Sequence, residues 1–84
     1  MKLVLIEWLD SHSGDGWQPL RTIERNGDTV RCRSVGWLLS DTKEHKVIVP
    51  HISGEKSENV VPYGAGDLSI PAKSIVKMSV LRKK

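Results

Sequence analysis

A chain of 84 residues supports one hydrophobic core, because two would leave neither half enough buried surface. Hydrophobic residues at 38% and charged residues at 27% are ordinary for a folded domain and exclude disorder along the whole length. The 13 Lys and Arg outnumber the 10 Asp and Glu, yet Arg82, Lys83 and Lys84 account for the whole excess. Residues 1–81 are therefore expected to form a single, electroneutral β domain, and residues 82–84 a basic tail. A neutral body weakens the nucleic-acid reading that a pI near 9.2 invites.

Cys32 is the one cysteine, so an intramolecular disulfide framework is excluded and a reducing compartment is expected. Residues 3–6 are apolar, but Glu7 and Asp10 interrupt the run before it could serve as a signal segment. No stretch approaches the length of a bilayer-spanning helix, and the expected location is the cytoplasm.

Residues 2–9, rich in Val, Ile, Leu and Trp, predict a strand. Alternation places Val4, Ile6 and Trp8 on one face and Leu3, Leu5, Glu7 and Leu9 on the other. Both faces are largely apolar, so this strand should be central or covered on both sides. Residues 10–16 are almost pure turn chemistry, closed by Trp17. Pro19 at a first helical position, with Leu20 and Ile23 three apart, suits a turn or two of helix over residues 19–25. Asn26-Gly27 ends it.

Residues 29–39 predict a long strand bent at Gly36, and residues 46–52 resume the β-branched pattern after a polar connection. The two form the strongest hairpin signal in the chain. Residues 53–59 are polar, Val60-Val61 suggests a short strand before Pro62, and Gly64-Ala65-Gly66 reads as a flexible turn. Residues 67–70 and 74–81 predict two closing strands around Pro71-Ala72-Lys73. The expected fold is mainly β: a small SH3-like barrel or rolled antiparallel sheet of about five strands, with one short helix or 3-10 turn.

The segment Gly66-Asp67-Leu68-Ser69-Ile70-Pro71-Ala72-Lys73-Ser74-Ile75-Val76 resembles the ending of SH3-like barrels, where a short strand, a Pro-bearing helical turn and a final strand follow in order. A wider set of marks resembles small uncharacterised proteins of bacteriophages and prophages. It comprises Ile6-Glu7-Trp8-Leu9-Asp10-Ser11, Gly16-Trp17, Ser34-Val35-Gly36-Trp37-Leu38, Pro50-His51-Ile52 and Gly66-Asp67-Leu68-Ser69-Ile70-Pro71. The resemblance implies phage origin, a host-cell cytoplasmic location and a compact β fold. It supplies no catalytic or binding residues.

Several motifs suggest chemistry and fall short of it. Asp10-Ser11-His12-Ser13 holds the residue types of a hydrolase triad, but neighbours in one loop do not line up nucleophile, base and orienter. No Gly-x-Ser-x-Gly elbow occurs. Read from Ser11, the same loop sets Asp15 and Gly16 at EF-hand positions, yet it lacks an acidic first ligand and has Thr22 where the bidentate Glu belongs. Cys32, His12, His45 and His51 show no zinc-site spacing, and Gly64-Ala65-Gly66 lacks the rest of a phosphate loop. No enzyme activity, metal or cofactor is expected.

Binding is the expected role. Arg31 and Arg33 alternate on one strand face, joined by Trp37 if alternation survives Gly36, and this combination suits a protein hot spot or a base-stacking platform. The adjoining loop adds Trp17, Asp15 and His12 as adaptable contacts. A protein partner, from host or phage, is the leading expectation. Inhibition of a host factor would be a use by analogy with other small phage proteins. A nucleic-acid-binding barrel using the arginines, Trp37 and the tail is the alternative. Homo-oligomerisation fits so short a chain, and no membrane partner is expected.

Overall fold

The computed structural model describes residues 1–10, 17–25, 27 and 30–82. Among the described residues there are seven strands, one short helix and one 3-10 turn. In order they are β1 (Leu3–Asp10), α1 (Leu20–Arg25), β2 (Val30–Asp41), β3 (His45–Val49), β4 (His51–Ser53), β5 (Tyr63–Ala65), β6 (Leu68–Pro71), the turn η1 (Ala72–Ser74) and β7 (Ile75–Val80). Five strands form one antiparallel sheet in the order β6-β3-β2-β1-β7, and β4 and β5 form a separate two-stranded ribbon.

The large sheet is rolled. Flat, its five strands would hold the edges β6 and β7 four spacings, about 19 Å, apart. The four residue steps from Pro71 to Ile75 reach at most about 14 Å when fully extended, and η1 is a tight turn that reaches less. The sheet must curl to bring its two edges to one turn. η1 packs against both β1 and β3, and the Ala72 N–H donates to the Glu44 carbonyl at 2.8 Å in the β2–β3 connection. No ladder joins β6 to β7, so the roll stays open and the closed barrel among the sequence expectations is not formed.

The core lies inside the roll. Val4, Ile6, Ile48 and Ile70 are completely or almost completely buried, with Trp8, Leu38, Leu68, Ile75 and Met78 packed around them. β1 alternates as its sequence predicts: Val4, Ile6 and Trp8 face inward, and the strand is central between β2 and β7. Trp8 keeps one edge polar, its Nε1–H donating to Ser34 Oγ at 3.0 Å, which satisfies the indole donor while its ring packs.

β2 changes partner along its length, pairing with β1 through Trp37 and with β3 from Trp37 onward. Gly36 sits at this crossing. A Cβ there would meet Ile48 Cβ at 3.1 Å and the Val49 backbone at 3.3 Å, so glycine admits close approach of β3. Its register with β1 is continuous, and the irregularity falls instead between Leu38 and Ser40. That bulge leaves Leu39 unpaired and 61% exposed.

Two expectations over residues 46–66 need correction. The predicted strand 46–52 is two strands, because Pro50 has no N–H for a ladder and divides β3 from β4. Val60-Val61 forms no strand; the partner of β4 is Tyr63–Ala65, within the segment read as a turn. Gly64 is needed there, since a Cβ would lie 2.9 Å from Val49 Cγ1. Of Gly64, Ala65 and Gly66, the last alone, with φ 74°, takes the left-handed conformation of a turn.

Candidate interaction surface

Directly opposed residues of antiparallel strands share a face, so the ladders give the outer surface of β7, β1 and β2 row by row. One row holds Lys77, Glu7 and Arg33; the next holds Ser79, Leu5 and Val35. Leu9 faces Arg31 at one end, and Leu3 faces Trp37 at the other. Alternation therefore survives Gly36, and Arg31, Arg33, Val35 and Trp37 share one face of β2.

The members of this face are not equally available. Arg31 and Arg33 are exposed, with Val35 at 51% and Leu9 at 39% exposure beside them. Trp37 is half-buried between Leu3 and Val49 in the register, so it offers less than a free ring face. Glu7 stands between Arg33 and Lys77 across the three strands, and a carboxylate inside a cationic row repels phosphate. Sequence alternation puts Glu7 on this face, but the cross-strand register that sets it between two cations is not readable from sequence.

Trp17 is fully exposed. It precedes α1, whose Leu20 and Ile23 are 83% and 50% exposed; the Pro19 carbonyl accepts from the N–H groups of Thr22 at 2.9 Å and Ile23 at 3.2 Å to open the helix. α1 lies in the connection between β1 and β2, whose ladder runs from Leu3–Trp37 to Asp10–Val30, and the molecule is long, 59 × 28 × 25 Å. Its radius of gyration is 17.1 Å, against about 12 Å for a compact chain of this length. His12 and Asp15, the other loop candidates, lie outside the described residues.

A second surface was missed by sequence reasoning. Met1, Leu39, Val49, Ile52, Glu55, Pro62, Tyr63 and Gly64 line an apolar groove of about 270 Å³. It needs Leu39, left unpaired by the bulge, and the ribbon that brings Gly64 against Val49, and neither feature leaves a period in the sequence. Around its rim Met1 is 60% and Tyr63 70% exposed.

Among the described residues, no group of three or more His, Cys, Asp or Glu side chains is placed to hold an ion. Cys32 is half-buried opposite Trp8, with Sγ 3.7 Å from the Val30 carbonyl oxygen. Also among the described residues, no helix is long and apolar enough to cross a membrane. Comparisons with protein-family models, with curated proteins and with solved structures find no match.

Proposed function

We propose that this chain is a non-enzymatic interaction module that binds a protein, from host or phage, through the outer face of β2. The observation that carries the reading is the mixed character of that face. Exposed Arg31 and Arg33 stand beside exposed Val35 and Leu9 on the central β1–β2 ladder. Arginine beside apolar area is the composition of a protein hot spot. The phage-type and SH3-like parts of the proposal rest on the sequence resemblance. The succession β6, η1, β7, with Pro71 opening the turn, supports the second of them.

The nucleic-acid alternative draws on Arg31, Arg33 and Lys77 on one face, and it is weakened by Glu7 among them and by the half-buried Trp37. Affinity capture with the intact chain supplies the partner, and its salt dependence tests the reading. A protein interface with an apolar centre keeps most of its affinity between 50 and 200 mM salt, whereas several phosphate contacts would lose orders of magnitude. Arg31→Ala or Arg33→Ala should weaken capture without altering the circular dichroism spectrum. Unchanged capture by the double variant would overturn the assignment of this face.

A further inference from the structure

Two apolar features of the described residues lie open, one in the connection that leaves the Asp10–Val30 end of the β1–β2 ladder and the other at its Leu3–Trp37 end. The first is the arm of Trp17, Leu20 and Ile23, spaced three apart and exposed at 104%, 83% and 50%. The second is the groove of Leu39, Tyr63, Met1, Ile52 and Pro62. The arm is tethered where Asp10 pairs with Val30; the groove is built where Leu3 pairs with Trp37 and β2 runs on to Leu39. The eight residues of β1 separate those ends by about 23 Å.

We propose that the groove receives the 17–23 arm of a second copy of this chain, in a two-fold symmetric pair. The placement of the two features argues for that occupant. In this structure the arm does not line the groove: Trp17 stays fully exposed, and the length of β1 lies between the arm's tether and the receptor. Two molecules laid antiparallel about a two-fold axis across the long direction form both arm–groove contacts at once. Closed two-fold pairing is the commonest assembly of soluble chains, and it leaves no unsatisfied arm to propagate a filament.

Charge agrees with the docking. The α1 segment carries Arg21 and Arg25 against Glu24, while the β4–β5 connection at the groove carries Glu55 and Glu58 against Lys56. Arg21 and Glu55 are both exposed, and Glu55 lines the groove itself. An aromatic anchor entering an apolar pocket with an arginine at its rim is the arrangement that concentrates binding energy.

Sedimentation equilibrium and light scattering of the full chain test the pairing. The unsubstituted chain should be a dimer that dissociates on dilution. Trp17→Ala should raise its dissociation constant at least about thirtyfold, and Leu39→Glu should do the same from the groove side. Both side chains are exposed, so the monomers should keep the parent circular dichroism spectrum; Tyr63→Ala serves as the groove variant if Leu39→Glu fails to fold. Arg21→Glu and Glu55→Arg should each weaken the dimer severalfold, and the double swap should recover it to within about twofold. Arg31→Ala should leave association unchanged, which separates this contact from the proposed partner face. A chain that stays monomeric at high concentration, a dimer that survives Trp17→Ala, or a double swap without recovery would overturn the proposal.

Discussion

Replacing Trp8 by alanine should be among the most costly single changes in this chain, and the structure allows the loss to be divided. Trp8 packs against the cluster of Val4, Ile6, Ile48 and Ile70 while donating Nε1–H to Ser34 Oγ at 3.0 Å. Deleting a buried large aromatic costs about 3–5 kcal/mol. Trp8 is half-buried, so the lower end, about 3 kcal/mol, is expected. Of this, the hydrogen bond contributes about 1 kcal/mol and ring packing the rest. Trp8→Phe keeps most of the packing and should cost about 1–2 kcal/mol by the same accounting. Ser34→Ala should cost about 1 kcal/mol, and in the double variant the two losses should fall short of additivity by about that amount. Urea unfolding followed by far-ultraviolet circular dichroism supplies all four values, provided the slopes agree. A Trp8→Ala loss below about 1 kcal/mol, the level of an ordinary surface change, would refute the placement of this ring in the core.

Gly36→Ala should destabilise by about 1–3 kcal/mol, the range for overpacking, because its Cβ would press on Ile48 Cβ and on the backbone of Val49; an unchanged urea midpoint would contradict that crossing. Gly54→Ala should cost about 1–2 kcal/mol from backbone handedness alone, since Gly54 has φ 77°, and thermal unfolding would detect it. Asp41→Asn should change stability by less than about 1 kcal/mol despite the ion pair with Lys46, as exposed pairs contribute little; a loss of several kcal/mol would mean that the β2–β3 turn depends on charge. In that turn the Thr42 hydroxyl accepts from the N–H groups of Glu44 at 3.3 Å and His45 at 3.1 Å. Thr42→Ala should therefore cost more than Asp41→Asn.

What was legible in the sequence is what strict periodicity or turn chemistry controls. Residues 2–9 have the composition of a covered strand, and β1 keeps Val4, Ile6 and Trp8 together on one face as the period of two groups them. Pro19 with Leu20 and Ile23 marks α1, and Pro71-Ala72-Lys73 marks η1. The segment around the ribbon was not legible, because packing overrode propensity there. Val60-Val61 has the β-branched residues of a strand, yet β4 pairs with Tyr63–Ala65, where glycine lets the backbone approach Val49. The bulge at Leu39 is likewise a consequence of register and carries no pattern of its own. It supplies one wall of a groove that sequence reasoning did not find. On the β2 face, alternation grouped Arg31, Arg33 and Trp37 correctly but could not tell that Trp37 would be half-buried or that Glu7 would stand between cations.

Register couples that face to the core. In an antiparallel ladder a slip of one residue turns every side chain to the opposite face. For β1 against β2, such a slip would expose Ile6 and Trp8 and bury Glu7. Three features oppose it on the inner side: the Trp8–Ser34 hydrogen bond, the burial of Val4 opposite Gly36, and the close approach of β3 to Gly36. The contacts that hold the core thereby keep Arg31, Arg33 and Val35 outward as a fixed set. A substitution at Ser34 or Gly36 touches nothing on the outer surface, yet it loosens the alignment that a partner would read. Variants at these two positions should therefore lose capture of the partner under conditions where most molecules remain folded. Changes confined to exposed Lys43 or Lys73 should leave both fold and capture as they were.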